Sequence, residues 1–377
     1  MPNVSKYILN ISAFVALFFV ITYAKASSDE SVCSNPLQRI CADTSNQRYE
    51  RNLYIADLKK EIATEAIKNS LPRIAKMKKK IKPIHFFKRM IQATLIRNQE
   101  IMNSAKRRIV GFESAVTNAE NILKIKNYLY LAIDNSSIAF SAKDDFKQII
   151  QSVIVGNFND FIERENLEDN IFAQRLENIC GADGLVDNAF STNFKGDRYV
   201  LICPGFLITL SQAATDSDRF NNMLHTIAHE MGHHVDNRHY FNIDVYGPYL
   251  NCISKNYSNY FNRSNEDIKF CRMNSSTQDA CNQKITMSHS GELIADEWGI
   301  AATALHAKTQ NYSFSETDKM LTDSWAKLCG AQDEGIHPTT EFRIENLLRK
   351  NPEIVNYLSC LKSETNLIPT CTFAGEI

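Results

Sequence analysis

The stretch Phe220-Asn221-Asn222-Met223-Leu224-His225-Thr226-Ile227-Ala228-His229-Glu230-Met231-Gly232-His233 decides how this chain reads. Phe220, Met223, Leu224, Ile227 and Ala228 recur at helical spacing, continued by Met231 and Val235, so an amphipathic helix is expected with this stripe inward. Asp216 or Ser217 stands where a cap would start it, and no Pro or Gly interrupts it before Gly232. Its last turn reads H-E-x-x-H. Two histidines four apart share one helix face, so both imidazoles can reach one metal ion. Glu230 then comes near the open coordination position, where it can take a proton from a water. The bland alternative is a polar helix face that happens to carry two histidines.

A hydrolytic zinc site needs a third protein ligand and one open position. His239 follows His233 at the spacing metzincins use, but that arrangement turns at a Gly three residues after the second histidine, where Asp236 stands here. The competing ligand is Glu292, in Ser290-Gly291-Glu292-Leu293-Ile294-Ala295-Asp296-Glu297-Trp298-Gly299. Glu292 and Asp296 are four apart and share a helix face. Glu292 can bind the metal while Asp296 accepts the free ring N–H of a ligating histidine; Asp236, one turn after His233, can do the same. Apolar residues bracket the pair, and a buried carboxylate pair needs a cation.

Two further blocks bear on the site. In Ile336-His337-Pro338-Thr339-Thr340-Glu341-Phe342-Arg343-Ile344, His337 can donate to an oxyanion, and Arg343 can hold a substrate carbonyl or pair with a metal-site acid. Asp187-Asn188-Ala189-Phe190-Ser191 leads through Lys195-Gly196-Asp197 into the apolar run Tyr199-Val200-Leu201-Ile202-Cys203, a hairpin with a buried second strand. A strand edge beside the helix of the histidines can take an extended peptide, with Asn188 on its backbone.

Together these blocks resemble a gluzincin, the zinc-peptidase group with H-E-x-x-H and a distant glutamate. Within it the chain is similar to the neprilysin and endothelin-converting-enzyme family. That family's N-A-Y-Y corresponds to Asn188-Ala189-Phe190-Ser191, its H-E-x-x-H-x-F-D to His229 through Asp236 with Val235 for Phe, its G-E-N-I-A-D to Gly291 through Asp296, and its H-x-P-x-x-x-R to His337 through Arg343 with the proline one place earlier. Its later N-x-P-E has a likeness, one residue shorter, in Asn351-Pro352-Glu353. The HtpX and CAAX-prenyl-protease-like family resembles the same blocks through N-A-F, H-E-x-G-H, E-x-x-A-D and H-P-x-x-x-x-R-I. The likeness covers roughly residues 180–360. It implies an α+β, mostly helical chain with a thermolysin-like zincin catalytic domain, binding one Zn2+ per chain. It implies His229, His233 and Glu292 as ligands, Glu230 as general base and His337 as oxyanion donor. Asp236 and Asp296 would orient the histidines; Asn188, Ala189 and Arg343 would hold substrate. The chain departs from the neprilysin family in being about half as long and in lacking its closing C-x-x-W.

The rest of the chain frames this reading. Lys6, the apolar stretch Ile11–Tyr23 and Ala24-Lys25-Ala26 read as a cleavable export signal over residues 1–26, with an uncleaved membrane anchor as the alternative. A helical region is expected over 27–175, with helices around Tyr54–Ser70, Phe86–Ala105 and Phe112–Ala132, and the catalytic domain over 176–377. Ten cysteines agree with disulfides in an oxidising compartment, so a secreted or periplasmic protein is expected. With 42 basic against 43 acidic residues, no nucleic-acid partner is expected. A lysine run around Pro83 reads first as a solvated helix face and only second as a membrane-surface contact. The sequence carries no signature of oligomeric state. The expected activity is hydrolysis of peptide bonds in peptides or unfolded proteins. The rival is a catalytically silent zincin-fold binding or assembly factor of the cell envelope.

Overall fold

A helix of 32 residues, Gln278–Thr309, is buried from His289 to Ala307 except for half-buried Ala301. A helix covered on all sides must be apolar or carry polar groups that find partners inside. This one is rich in Ala and Ile; of its buried polar residues Glu292 and Asp296 belong to the site described below, while Ser290 meets Asn237 and His306 meets Asn221. Thr277 caps its start by accepting from the Ala280 N–H.

The computed structural model describes residues 32–33, 35–41, 46–82, 84–108, 118–157, 161, 164, 180, 186–237, 245–261, 265–273, 277–329, 337–348, 351–358, 370–373 and 375–376. Its helices are α1 (Pro36–Cys41), α2 (Asn46–Lys80), α3 (Phe86–Arg108), α4 (Ala119–Asn135), α5 (Phe140–Ser152), α6 (Pro204–Ser211), α7 (Asp216–Gly232), α8 (Gly247–Tyr257), α9 (Asn265–Met273), α10 (Gln278–Thr309), α11 (Phe314–Trp325), α12 (Thr340–Phe342) and α13 (Pro352–Leu358). The strands are β1 (Ile154–Asn157), β2 (Ala189–Phe194), β3 (Asp197–Ile202), β4 (Cys371–Thr372) and β5 (Gly375–Glu376). The chain is therefore α+β and mostly helical, with a small sheet. The expected export signal, residues 1–26, lies outside the described residues.

Helix α10 packs against α7 along its length and also meets α4, α8, α9 and α13. Glycines set how closely α7 and α10 approach. A Cβ on Gly232 would lie 3.1 Å from Ala295 Cα and 3.2 Å from Trp298 Cβ. One on Gly299 would lie 3.1 Å from the His225 ring and 3.2 Å from its carbonyl oxygen. Larger residues at either point would push apart the two helices that carry the site. Helices from the first half of the chain share this core: Phe146 of α5 lies 6.0 Å from the Tyr246 ring and 6.3 Å from that of Trp298.

The three-stranded sheet has the order β1-β3-β2, with β1 parallel and β2 antiparallel to β3. The expected hairpin is present. Lys195 and Gly196 both take positive φ, as a two-residue turn between right-twisted strands requires. Strand β3 is buried on both faces: Val200 and Ile202 join the main core, while Tyr199, Leu201 and Cys203 pack with Phe161 and Cys180. That two-sided burial is why its sequence runs apolar without alternation.

Disulfides join Cys41 to Cys329, Cys180 to Cys203, Cys252 to Cys371 and Cys271 to Cys281. Cys33 is disulfide-bonded as well. The described cysteines are thus spent on crosslinks, which fits an oxidising compartment. Among the described residues no helix is long and apolar enough to cross a membrane.

Local boundaries depart from expectation in three places. Helix α2 does not stop before Pro72 but runs on to Lys80. The lost backbone bond is offset by its partner α3, where Glu100 and Gln99 hold Arg73. The third expected helix begins at Ala119, where the Asn118 side chain accepts from the Glu120 N–H. Helix α7 is capped by Thr215 rather than Asp216 or Ser217, through the Asp218 N–H at 3.0 Å.

Candidate metal centre

The last two turns of α7 face the middle of α10. His229 and His233 lie on one side of α7, and their rings stand nearly perpendicular, 4.8 Å apart. Opposite them Glu292 offers both carboxylate oxygens: Oε2 is 3.4 Å from His229 Nε2, and Oε1 is 3.5 Å from His233 Nε2. Nitrogen and oxygen donors held at bonds of about 2.0–2.1 Å around a tetrahedral ion lie about 3.3 Å from one another. The two nitrogen–oxygen separations, each to a different oxygen of Glu292, are close to that edge. One ligand atom from each of the three residues falls within 4.8 Å of the other two, and all three side chains are buried.

The outer nitrogens of both rings face acids. His229 Nδ1 lies 2.8 Å from Asp296 Oδ1, and His233 Nδ1 lies 3.1 Å from Asp236 Oδ2. Each carboxylate can hold the proton on Nδ1 and so present the Nε2 lone pair to the shared space. This donor set, aimed inward and oriented from behind, fits a divalent metal ion.

Asp296 is itself clamped. Arg343 donates from Nε at 2.7 Å to Oδ2 and from Nη2 at 2.6 Å to Oδ1, a bidentate and buried pair. Arg343 opens the π-helical turn Arg343–Leu348 and lies 5.9 Å from the Trp325 ring centroid. Of the two roles open to Arg343, the geometry it has is the pairing with a metal-site acid. The fork on Asp296 is made by Nε and Nη2, and the reading of Arg343 as a substrate-holding residue stays an expectation.

Glu230 is fixed from the sheet. Its Oε2 accepts from the Ser191 N–H of β2 at 2.8 Å, and its Oε1 is 4.0 Å from His229 Nε2. His337 is 48 % exposed and puts Nδ1 3.1 Å from Glu292 Oε2, so it borders the cluster from the solvent side. Ala189 opens β2 and Asn188 immediately precedes it; the Asn188 carbonyl accepts from the Cys203 N–H. His239 lies outside the described residues.

No protein-family model matches this chain, and no curated protein sequence matches it either.

The charges of the centre are strongly coupled. Burial alone would raise the Asp296 carboxyl, but the charge of Arg343 and the contact with His229 hold it well below the usual range. Burial likewise opposes ionisation of Glu292, and the three histidines around it win, holding it low. Burial pulls His233 down while Asp236 and Glu292 lift it to about 10; His229 is raised for the same reasons by Asp296 and Glu292. A metal ion therefore competes with protons for these rings, and weaker binding in acid is the consequence.

Three residues of this neighbourhood carry no signal in the sequence. Lys327 donates to the Thr226 hydroxyl, one turn before Glu230, and its ammonium lies 5.3 Å from the Phe206 ring centroid. Burial lowers it to about 8 against the opposing pull of Asp187 and Glu230. His225 extends the histidine face by one more turn, but it packs on Trp325 with ring centroids 4.4 Å apart, and burial keeps it neutral. Glu297, beside Asp296, points away from the metal ligands into the core, where Asn351 Nδ2 donates to it at 3.1 Å.

Burial raises Glu297 to about 8, with the Asp296 charge adding to the effect against the bonds from Asn351 and Tyr249. The folded chain thus holds a proton here that the unfolded chain releases near pH 4.5. Folding stability falls as pH rises from about 4.5 through about 8, by a few kcal/mol in all. Glu297→Gln keeps the hydrogen bonds and removes that slope. Urea unfolding at pH 5 and pH 9 should show the variant gaining on wild type only at the higher value. Equal gaps at both would mean that Glu297 is charged throughout.

Proposed function

We propose that this chain is an exported zinc endopeptidase of the gluzincin type, with a thermolysin-like catalytic unit, acting on peptides or unfolded segments. The observation that carries the reading is the carboxylate of Glu230, held by a strand-edge amide beside a His229–His233–Glu292 donor set. A site that only stored metal would have no chemical need for that fourth acid. Two nitrogens and one carboxylate, with one position left open, are the donors catalytic zinc uses. The disulfides support a secreted or periplasmic location.

The chain's own residues divide the work. When bound by His229, His233 and Glu292, zinc supplies a Lewis acid that acidifies a water and polarises the scissile carbonyl. Glu230 takes the proton of the attacking water and delivers it to the leaving amine. His337, at the solvent side, donates to the oxyanion that develops on the attacked carbonyl. Asp236 and Asp296 keep the ligand tautomers fixed, and Arg343 keeps Asp296 ionised and in place.

Strand β2 offers the peptide a backbone template. Among the described residues it is an edge strand, and the bond between the Asn188 carbonyl and the Cys203 N–H places even-numbered residues toward β3. By the alternation of a strand, Ala189, Ser191 and Asn193 then turn their amides and carbonyls to the free edge. Ser191 on that edge already meets Glu230. An extended peptide added there runs past the catalytic carboxylate, with Ala189 among its backbone partners and only the side chain of Asn188 left to help.

Quenched fluorescent peptides of mixed sequence test the reading. Turnover should disappear on chelation and return with zinc. A fully zinc-loaded protein that binds such peptides without cutting them would replace the enzyme with the silent binding factor.

A further inference from the structure

Helices α2 and α3 form a hairpin whose base is anchored and whose far half stands clear of the protein. Ile62, Ala66 and Ser70 on α2, and Glu100, Ile101 and Ser104 on α3, are buried. Between residues 71 and 99 no described residue is buried. The turn at the tip is nonetheless held in place: Arg89 donates from Nε to the Ile81 carbonyl at 2.8 Å and from Nη2 to that of Lys78 at 2.6 Å.

Two independent features converge on this protrusion. From Glu65 to Glu100 the chain carries ten Lys and Arg and not one Asp or Glu between them. Lys78, Lys79, Lys80, Lys82 and Lys88, around the turn, are exposed. Amid these cations the largest apolar side chains also face outward: Ile84 is 84 % exposed, Phe86 62 % and Phe87 69 %. A solvated face needs the charges but has no use for three large apolar groups at its apex. Phosphates of nucleic acid would engage the lysines and leave Ile84, Phe86 and Phe87 in water. A bilayer with anionic headgroups satisfies both, since the lysines meet phosphates while the apolar groups enter the acyl boundary.

We propose that the tip of the α2–α3 hairpin docks the protein onto an anionic phospholipid surface, with Ile84, Phe86 and Phe87 as the inserted groups. The lysine run, whose first reading from sequence is a solvated face, acquires this role because the structure places exposed aromatic groups in its midst.

Flotation of the mature, zinc-loaded protein with vesicles tests it. One set is phosphatidylcholine alone; the other is equal parts phosphatidylcholine and phosphatidylglycerol. Binding is expected on the second set, weaker on the first, and falling as salt is raised. Ile84→Ser/Phe86→Ser/Phe87→Ser should lower binding by about tenfold or more. Lys78→Glu/Lys79→Glu/Lys80→Glu should lower it by about a hundredfold. All these side chains lie outside the core, so melting temperature and peptide turnover should stay as in wild type, which separates this outcome from the fate of the peptidase reading. Absence of binding to the anionic vesicles overturns the proposal. So does a serine variant that binds as well as wild type, or tighter binding to a duplex DNA oligonucleotide that the serine variant retains in full.

Discussion

Glu230→Gln is expected to keep the metal and lose turnover, by about a hundred- to ten-thousand-fold in kcat/KM. The substitution is nearly isosteric. Gln can still accept from the Ser191 N–H through its amide oxygen, so the bond that anchors the side chain survives. What is lost is the capacity to take a proton. Zinc content should not change, because Glu230 lies outside the donor set of His229, His233 and Glu292. Elemental analysis and peptide turnover on the same preparation check both halves. Unchanged turnover would remove Glu230 from the chemistry, and loss of metal would mean that it belongs to the donor set.

Asp296→Ala is expected to damage stability and metal affinity together. The substitution leaves the Arg343 guanidinium buried without its bidentate partner, which costs about 3–5 kcal/mol. It also frees His229 Nδ1 from the group that holds its tautomer, lowering metal affinity by about 10–100-fold. The two effects separate in the double variant Asp296→Leu/Arg343→Met, which replaces the ion pair by apolar groups. Stability should largely return while metal affinity stays low. Urea unfolding measures the first, and competition with a chelating dye the second. Recovery of both in the double variant would mean that Asp296 acts only through packing.

Much of this centre is legible in the sequence because its chemistry is written in local spacings. His229, Glu230 and His233 stand within one helical turn, and Glu292 and Asp296 within another, so period and residue type suffice to place each set on a face. The hairpin β2–β3 is legible because Gly196, between two strand-like runs, supplies a positive φ that few residue types adopt, although Lys195 beside it is not one of them. What stays hidden depends on contacts between distant segments. Arg343 meets Asp296 from 47 residues away, and nothing in either local sequence chooses that partner over substrate. Lys327 sits alone in a short apolar stretch, and only the folded chain brings it to Thr226. The cap of α7 falls one residue earlier than expected because Thr215, Asp216, Ser217 and Asp218 can all cap; the orientation needed by the Phe220 stripe selects among them. Glu297 carries no local mark of its burial, because the groups that cover it come from other elements. Gly232 and Gly299 likewise show their purpose only against Ala295 and His225.

The central claim is that His229, His233 and Glu292 hold one catalytic zinc. Elemental analysis of the purified protein, wild type beside Glu292→Ala, tests it most directly. One zinc per chain in wild type, lost in Glu292→Ala while the far-ultraviolet circular dichroism stays helical, is the predicted result. Zinc retained by a folded Glu292→Ala, or absent from wild type after zinc is supplied, would contradict the account.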